Sequence, residues 1–289
     1  MAWALIAALG FGVTQILNRK SNQLVDAFRT AFGLLVVVGV VLAAGVIVTG
    51  QLARLAEAPL WALGCFAIAT FFHFGGGWTL LALSQQKVGV ARTGALVSAA
   101  PLVGAVLAAI FLDEPLSLLM GLGVIVVVAG VVLLSLSGAS APGGNWSHPG
   151  YALTVALLWG SSPLLIRLGL RGLDAPILGL TVGIIFTVIT YALGLAATGW
   201  WRRSRIPRRA LLWMATGGIT GAVAISAQWL SYSLTTVAVA LSLQQLAVLV
   251  VLALVPLVFR EPIERISPPL ILGTLLVLAG TVAVVLARE

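Results

Sequence analysis

The chain has 289 residues, of which 61% are hydrophobic and only 8% are charged, and its mean hydropathy is +1.14. Soluble proteins average about 45–50% apolar and about 25% charged residues. The composition therefore excludes a disordered chain, a fibrous protein and a water-soluble enzyme, and it predicts an all-α integral membrane protein. The single cysteine, Cys65, excludes a disulfide framework and a zinc cluster. The net charge of +8 is interpreted as a signal of membrane topology, because 24 charged residues are too few to form a nucleic-acid-binding surface as well.

Charged residues divide the sequence into apolar stretches of the length that spans a bilayer, about 20 residues. Two charge-free stretches, 115–166 and 210–259, contain 52 and 50 residues and are long enough for two spans each. Turn-forming residues interrupt the first at 142–149, and a polar run at 231–236 interrupts the second. We predict ten transmembrane helices, at about residues 3–17, 28–49, 59–82, 91–112, 116–136, 150–168, 176–199, 210–233, 237–258 and 268–286. The first segment lacks a basic start and is interpreted as a span, not a signal peptide.

Basic residues are distributed unequally between the two sides of the predicted membrane. Twelve of the 16 lie in or beside the loops that follow helices 1, 3, 5, 7 and 9, and four lie on the opposite side. Cytoplasmic loops are enriched in Lys and Arg, so the sequence predicts that these odd-numbered loops are cytoplasmic and that both termini are outside. The basic run at 200–205 contributes most to this bias and is interpreted as an anchor beside the membrane.

Short matching segments recur in the same order at an offset near 148 residues. The matching pairs are 7–12 with 156–160, 48–50 with 197–199, 88–91 with 237–240, 114–115 with 261–262, and 129–130 with 279–280. Each copy holds five predicted helices, and an odd number inverts the second copy relative to the first. We predict a first repeat at 1–138, a connecting loop at 139–149 and a second repeat at 150–289. Inverted repeats are typical of alternating-access transporters whose substrate site lies near mid-membrane.

Two segments resemble the EamA-type exporters of the drug/metabolite transporter superfamily. The segment from 88–91 through Pro101 to 111–115 resembles the family's fourth helix, with its central proline and closing acidic residue, and 159–163 (Trp-Gly-Ser-Ser-Pro) is similar to the family's Trp-Gly-Ser opening. The resemblance covers nearly the whole chain. It implies ten helices and a central cavity lined by helices 1, 3, 4, 6, 8 and 9. Two features differ from the family: the Trp-Gly-Ser opening usually lies in helix 1, where this chain has Gly10-Phe11-Gly12, and the family's termini are usually cytoplasmic.

No acidic residue is predicted near the middle of a span. All eight lie at predicted helix ends or in loops: Asp26, Glu57, Asp113, Glu114, Asp174, Glu261, Glu264 and Glu289. A mid-span carboxylate for a proton, a sodium ion or an organic cation is therefore missing, which favours neutral or zwitterionic substrates. His73 is the only titratable group well inside a span. It is interpreted either as a proton relay or as a neutral histidine that hydrogen-bonds to a neighbouring helix.

Uncharged polar and aromatic side chains fall on helix faces that can line such a cavity. The same groups can also hydrogen-bond between helices, where each bond contributes about 0.6 kcal/mol on average. The predicted substrate-binding residues are Gln15, His73, Trp78, Trp159, Ser162, Gln228, Tyr232, Gln244 and Gln245. The triplet at 75–77 and the glycines at 217, 218 and 221 occupy equivalent places in the two repeats and are interpreted as close helix contacts or gating points.

The sequence therefore predicts a transporter of the bacterial inner membrane that exports or exchanges a small neutral or zwitterionic metabolite, amino-acid-like or aromatic. Its predicted partners are the substrate and the lipid bilayer, with a homodimer left open and no nucleic acid. No cofactor, metal or catalytic residue is predicted, because the chain lacks the residues for a nucleophile with its base. The alternative is a structural or sensory membrane protein without substrate flux.

Overall fold

The computed structural model describes residues 1–87, 90–115, 117–137, 149–199, 206–259 and 268–287. Within these ranges the regular structure is entirely helical. The α-helices are α1 (Ala2–Asn22), α2 (Ala27–Val48), α3 (Leu60–Thr70), α4 (Gly77–Lys87), α5 (Val90–Val97), α6 (Ala100–Phe111), α7 (Leu118–Ser137), α8 (Gly150–Gly172), α9 (Pro176–Ala197), α10 (Arg208–Leu234), α11 (Val237–Gln244), α12 (Ala247–Phe259) and α13 (Pro268–Leu286). A 3-10 helix covers Gln51–Glu57, and a π-helical segment, Phe71–Gly76, joins α3 to α4.

Seven helical stretches among the described residues are long and apolar enough to cross a membrane, so the protein is a polytopic membrane protein. They are Ala27–Val48, Leu60–Ser84, Thr93–Phe111, Gly150–Gly172, Pro176–Ala197, Arg208–Leu234 and Val237–Leu254. Leu118–Leu134 and Ile271–Leu286 are apolar but shorter. Gln15, Asn18, Arg19 and Lys20 lower the mean hydropathy of α1, which is not among the seven. The count of ten spans stays a prediction.

Three stretches that we predicted as single continuous helices are interrupted. In the stretch 91–112 a turn at Ser98 and Ala99 separates α5 from α6, where Pro101 lacks the N–H that would bond to the preceding turn. In 237–258 a turn at Gln245 and Leu246 separates α11 from α12. In 59–82 the π-helical segment carries the interruption. Irregular segments of this kind are tolerated at membrane depth where other helices or a cavity cover them.

Phe66 lies at the centre of the largest apolar core. It is fully buried, and its ring packs against Trp229 of α10 at a centroid distance of 5.5 Å. Gly169 of α8 and Gly179 of α9 allow this packing, since a Cβ at either position would lie 2.5 or 2.7 Å from the Phe66 ring. Four helices, α3, α8, α9 and α10, therefore meet around one side chain, and three of them, α3, α8 and α10, line the candidate site described below.

Glycines hold α7 and α13 in close antiparallel contact. A Cβ at Gly123 would lie 3.0 Å from the carbonyl oxygen of Gly280, and a Cβ at Gly130 would lie 2.8 Å from the carbonyl oxygen of Gly273. In the other direction, a Cβ at Gly280 would lie 2.7 Å from the carbonyl oxygen of Gly123, and a Cβ at Gly273 would lie 3.0 Å from that of Gly130. Small residues let helix backbones approach closely, which is a main source of helix association in a bilayer. The contact joins the last helix of each predicted repeat.

Candidate functional site

A narrow cleft between α3, the π-helical segment, α8 and α10 brings together four of the predicted substrate-binding residues. These are His73, Ser162, Gln228 and Tyr232. The remaining lining residues are Ala69, Thr70, Phe74, Ile166 and Trp229. Side chains fill the cleft closely in this conformation: Ser162 and Tyr232 are each only 1% exposed. Helices from both predicted repeats contribute to its walls.

His73 is held against α8 by a stacked ring and two hydrogen bonds. Its imidazole stacks on the Trp159 indole with a centroid distance of 5.1 Å and an interplanar angle of 12°. The indole N–H donates to the backbone carbonyl oxygen of His73 over 2.9 Å. His73 Nδ1 lies 3.3 Å from Ser162 Oγ, and either atom can donate, depending on the tautomer. The predicted residues His73, Trp159 and Ser162 thus form one unit, and both interpretations of His73 are compatible with it.

A chain of amide and hydroxyl groups connects α10 to α11 on the other wall of the cleft. Gln228 Nε2 donates to the Tyr232 hydroxyl over 2.9 Å and also to Gln244 Oε1. Gln228 is 4% exposed, and Tyr232 lies one helical turn further along the same helix. In this conformation the three side chains satisfy one another, and a substrate would have to exchange one of these hydrogen bonds for its own.

The other predicted residues lie outside the cleft lining. Trp78 packs edge-on against Phe74 at a centroid distance of 5.2 Å, which places it behind a lining residue. Gln15 is exposed on α1, whereas its neighbour Thr14 is buried and lies 3.1 Å from the Thr220 hydroxyl on α10. Gln245 is partly buried in the turn between α11 and α12, not on a helical face as we predicted.

Five lining residues were absent from the sequence-based prediction: Ala69, Thr70, Phe74, Ile166 and Trp229. Three of them, Ala69, Phe74 and Ile166, are apolar residues in an apolar chain, so nothing in the sequence distinguished them from core residues. Trp229 directly follows Gln228, and its large aromatic ring was the one feature in the sequence that could have indicated a lining residue. Thr70 bonds to its own helix through the Phe66 carbonyl oxygen, 3.0 Å away, and to Thr187 of α9, 3.1 Å away.

The cleft offers aromatic rings and uncharged hydrogen-bonding groups. None of its lining residues is an aspartate, glutamate, lysine or arginine. Among the described residues, no three His, Cys, Asp or Glu side chains come together as metal ligands. Such walls suit the stacking and hydrogen bonding of a neutral group, and they offer no countercharge to a bound cation.

A wider concavity of about 560 Å³ lies outside this cleft, between α9 and the π-helical segment. Phe71, Gly75 and Gly76 form one wall, and Tyr191 and Gly194 belong to the other. None of the predicted substrate-binding residues lines it. The π-helical segment therefore separates two spaces, with His73 and Phe74 on the cleft side.

Comparison with known proteins relates the first part of the sequence to a transporter family and the fold to a solved structure. Residues 1–136 match the model of the EamA-like transporter family. A crystal structure of a chain 20% identical in sequence superposes with a TM-score of 0.75, covering 99% of this chain and 96% of that one. At this identity the similarity establishes the fold alone. None of the curated proteins matches the chain at the significance required of a relative.

Proposed function

We propose that this chain, whose residues 1–136 match the EamA-like transporter family within the drug/metabolite transporter superfamily, is a membrane transporter that exports or exchanges a small neutral or zwitterionic metabolite. The proposed route is alternating access between two inverted five-helix repeats. The cleft around His73 and Gln228 is the proposed substrate site, and an amino-acid-like or aromatic molecule is the proposed substrate.

The uncharged lining of the cleft is the observation that carries this proposal. Trp159 and His73 present stacked rings, and Gln228 and Tyr232 present amide and hydroxyl groups that can exchange partners. An aromatic or amide-bearing substrate can replace these contacts without leaving a buried polar group unpaired, which would cost about 1–3 kcal/mol. An organic cation would find no carboxylate among the lining residues.

The α7–α13 contact supports inverted repeats. Gly123 and Gly130 are separated by the same seven positions as Gly273 and Gly280, and the offset between the pairs is 150 residues. At this offset Gly273 corresponds to Gly123, and Gly280 corresponds to Gly130. In the structure the pairs are crossed, because Gly123 contacts Gly280 and Gly130 contacts Gly273. This is the pattern expected across a two-fold axis in the membrane plane.

The two predicted helices that are interrupted by turns, 91–112 and 237–258, give independent support. The turn at Ser98 and Ala99 and the turn at Gln245 and Leu246 occur about 147 residues apart, close to the offset of the sequence repeat. Discontinuous helices in corresponding positions of two repeats are typical of transporter substrate sites. The bacterial inner membrane is the proposed location, and the charge pattern supports termini outside the cytoplasm.

Counterflow in proteoliposomes tests the proposed function. Purified protein is reconstituted into vesicles loaded with amino acids, nucleosides, sugars and small organic cations, and exchange is followed by mass spectrometry with and without a pH gradient. We expect selective exchange of a neutral or zwitterionic class. Selective exchange of organic cations would contradict the proposed substrate class, and no exchange by folded protein would favour a structural or sensory role.

Two adjacent serines provide a matched pair of variants. Ser162 lines the cleft near His73, whereas Ser161 is not among the lining residues. Each hydroxyl also donates to a carbonyl oxygen of its own helix, Ser162 to Trp159 over 3.3 Å and Ser161 to Leu158 over 3.2 Å. We expect Ser162→Ala to weaken the apparent affinity of the exchanged substrate, and Ser161→Ala to leave it unchanged. Equal effects of the two substitutions would place the substrate elsewhere.

A further inference from the structure

A buried carboxylate connects three helices at one end of the molecule, which we call the even-loop end. This end contains residues 112–115, the loops at 173–175 and 235–236 and the 3-10 helix Gln51–Glu57. Glu114, which follows α6, is 9% exposed. Its Oε2 accepts a hydrogen bond from the backbone N–H of Val237, the first residue of α11, over 2.8 Å. Its Oε1 lies 3.1 Å from Nη2 of Arg167 on α8.

The same arginine also reaches α10. Arg167 Nη1 donates to the backbone carbonyl oxygen of Tyr232 over 2.8 Å, near the end of that helix. One turn further along α8, Arg171 Nη2 donates to the carbonyl oxygen of Leu112 over 3.3 Å. The ends of α6, α8 and α10 and the start of α11 are therefore held together by two side chains and the carboxylate of Glu114.

This cluster directly adjoins the candidate site. Arg167 follows Ile166, whose side chain lines the cleft, and it bonds to the backbone of Tyr232, whose side chain also lines the cleft. Along α3, Ala69 lies nine residues from the even-loop end of that helix, which corresponds to a depth of about 13 Å at 1.5 Å per residue. The Glu114–Arg167 pair therefore lies on the side of the cleft that faces the even-loop end.

We propose that Glu114 and Arg167 form a gate, whose ion pair closes the even-loop end in this conformation and separates when that end opens. The inference rests on the alternating-access transport proposed above. An isolated buried charge is strongly disfavoured, so the pair stays closed until water or a substrate group solvates both partners as the helices part. Because Glu114 also accepts a hydrogen bond from the first N–H of α11, the pair connects α8 to the discontinuous helix that carries Gln244.

The sequence carries the same residue types in the other repeat. Arg19, Val88 and Glu261 stand 148, 149 and 147 positions away from Arg167, Val237 and Glu114. Val88 and Glu261 lie outside the described residues, so the gate proposed here is confined to the even-loop end.

Cysteine labelling measures the gate without any substrate. Cys65 is the only cysteine, and a Cys65→Ser background allows one reporter, Ala69→Cys, in the cleft lining. A membrane-impermeant maleimide is added to one side of proteoliposomes. A second reporter, Leu52→Cys in the exposed 3-10 helix, identifies the vesicles whose even-loop end faces the reagent.

Glu114→Gln removes the charge but keeps an oxygen that can accept from the Val237 N–H. Loss of one charged interaction changes an equilibrium by about tenfold, so we expect labelling of the Ala69→Cys reporter from the even-loop side to become about tenfold faster. Arg167→Gln is expected to act in the same direction. Asp113→Asn is the matched control, because Asp113 is an exposed acid next in sequence, and its labelling rate is expected to equal that of the parent.

Unchanged labelling rates in folded Glu114→Gln and Arg167→Gln proteins would overturn the gate. If both variants also unfold at a lower temperature, the ion pair only stabilises the fold. If either variant aggregates, Glu114→Asp replaces it, and the shorter carboxylate is expected to give a smaller rise in the labelling rate. An unchanged rate in that variant would also overturn the gate. Absence of counterflow, by contrast, would contradict the proposed transport function, whereas the labelling rates test the gate without any substrate.

Discussion

Trp159 lies flat against the imidazole of His73 and at the same time donates its indole N–H to the backbone carbonyl oxygen of that residue. This double contact joins α8 to the π-helical segment Phe71–Gly76. A π turn leaves a backbone carbonyl free for an outside donor, and such turns occur often at functional sites. The segment that interrupts the third predicted span is therefore the same one that contacts Trp159 beside the cleft.

Gly77 makes room for this contact. A Cβ at this position would collide with Trp159 Nε1 and lie 2.6 Å from the carbonyl oxygen of Phe72. We expect Gly77→Ala to displace the indole, break its bond to His73 and destabilise the protein by about 1–3 kcal/mol, as overpacking does. Thermal unfolding of purified protein and Trp fluorescence measure the two effects.

Gly76→Ala is the control for this prediction. Its Cβ would meet only Leu158 at 3.5 Å and the Phe71 carbonyl oxygen at 3.8 Å, which are ordinary contacts. We expect the unfolding temperature of Gly76→Ala to stay close to that of the parent. An equal loss of stability in both variants would indicate that the helical segment itself, and not the Trp159 contact, is sensitive to added bulk.

Gln228 has two partners that depend on it. Gln228→Leu keeps the size of the side chain but leaves Gln244 Oε1 and the Tyr232 hydroxyl without a donor from Gln228. We expect a loss of about 1–3 kcal/mol in the free energy of unfolding and weaker substrate binding. Gln245→Leu, in the adjacent turn, is expected to change binding less. The prediction fails if Gln228→Leu exchanges substrate with the affinity of the parent.

His73→Gln distinguishes the two interpretations of His73. The amide can still hydrogen-bond with Ser162 but cannot carry a proton at the pH values of a cell. We expect substrate exchange to persist with weaker affinity, because the ring stack on Trp159 is lost, and its dependence on a pH gradient to match that of the parent. If the parent depends on the gradient and the variant does not, His73 is a proton relay.

The α7–α13 contact is expected to tolerate no added side chain. In Gly130→Ala the new Cβ would lie 2.7 Å from the backbone nitrogen of Val277, and backbone atoms cannot move aside as flexible side chains do. We expect a loss of several kcal/mol, about the upper range for overpacking. Gly121→Ala in the same helix meets nothing within 4 Å and is expected to be neutral or stabilising by up to about 1 kcal/mol. Denaturant or thermal unfolding in detergent compares the two, and equal unfolding midpoints would contradict the prediction.

The sequence predicted which segments are helical with good accuracy at most of their ends. The predicted stretch 28–49 is α2, Ala27–Val48, and 176–199 is α9, Pro176–Ala197. The π-helical segment Phe71–Gly76 was not predicted, and the tryptophan that bonds to its His73 carbonyl oxygen lies 86 residues further along the chain. Local hydropathy contains no information on such a contact.

Four of the residues that line the cleft are among those singled out from the sequence. His73, Ser162, Gln228 and Tyr232 stand out as polar groups in apolar spans, and the structure places them in one cleft. Gln15 stands out equally in the sequence but lies on an exposed face of α1. Periodicity locates a residue on a face, whereas only the packing of neighbouring helices decides which face is covered.

Composition and charge spacing by themselves determined that this protein is helical and resides in a membrane, because the bilayer imposes a length and a polarity that are readable residue by residue. The tertiary structure alone decided the surroundings of Glu114. By position it is one of eight acids at helix ends, and in the fold it is buried between Arg167 and the start of α11. A charge at a helix end is well solvated in water, whereas its burial in a protein interior carries a large desolvation free energy. Whether water or protein surrounds the charge depends on helices that are distant in the sequence.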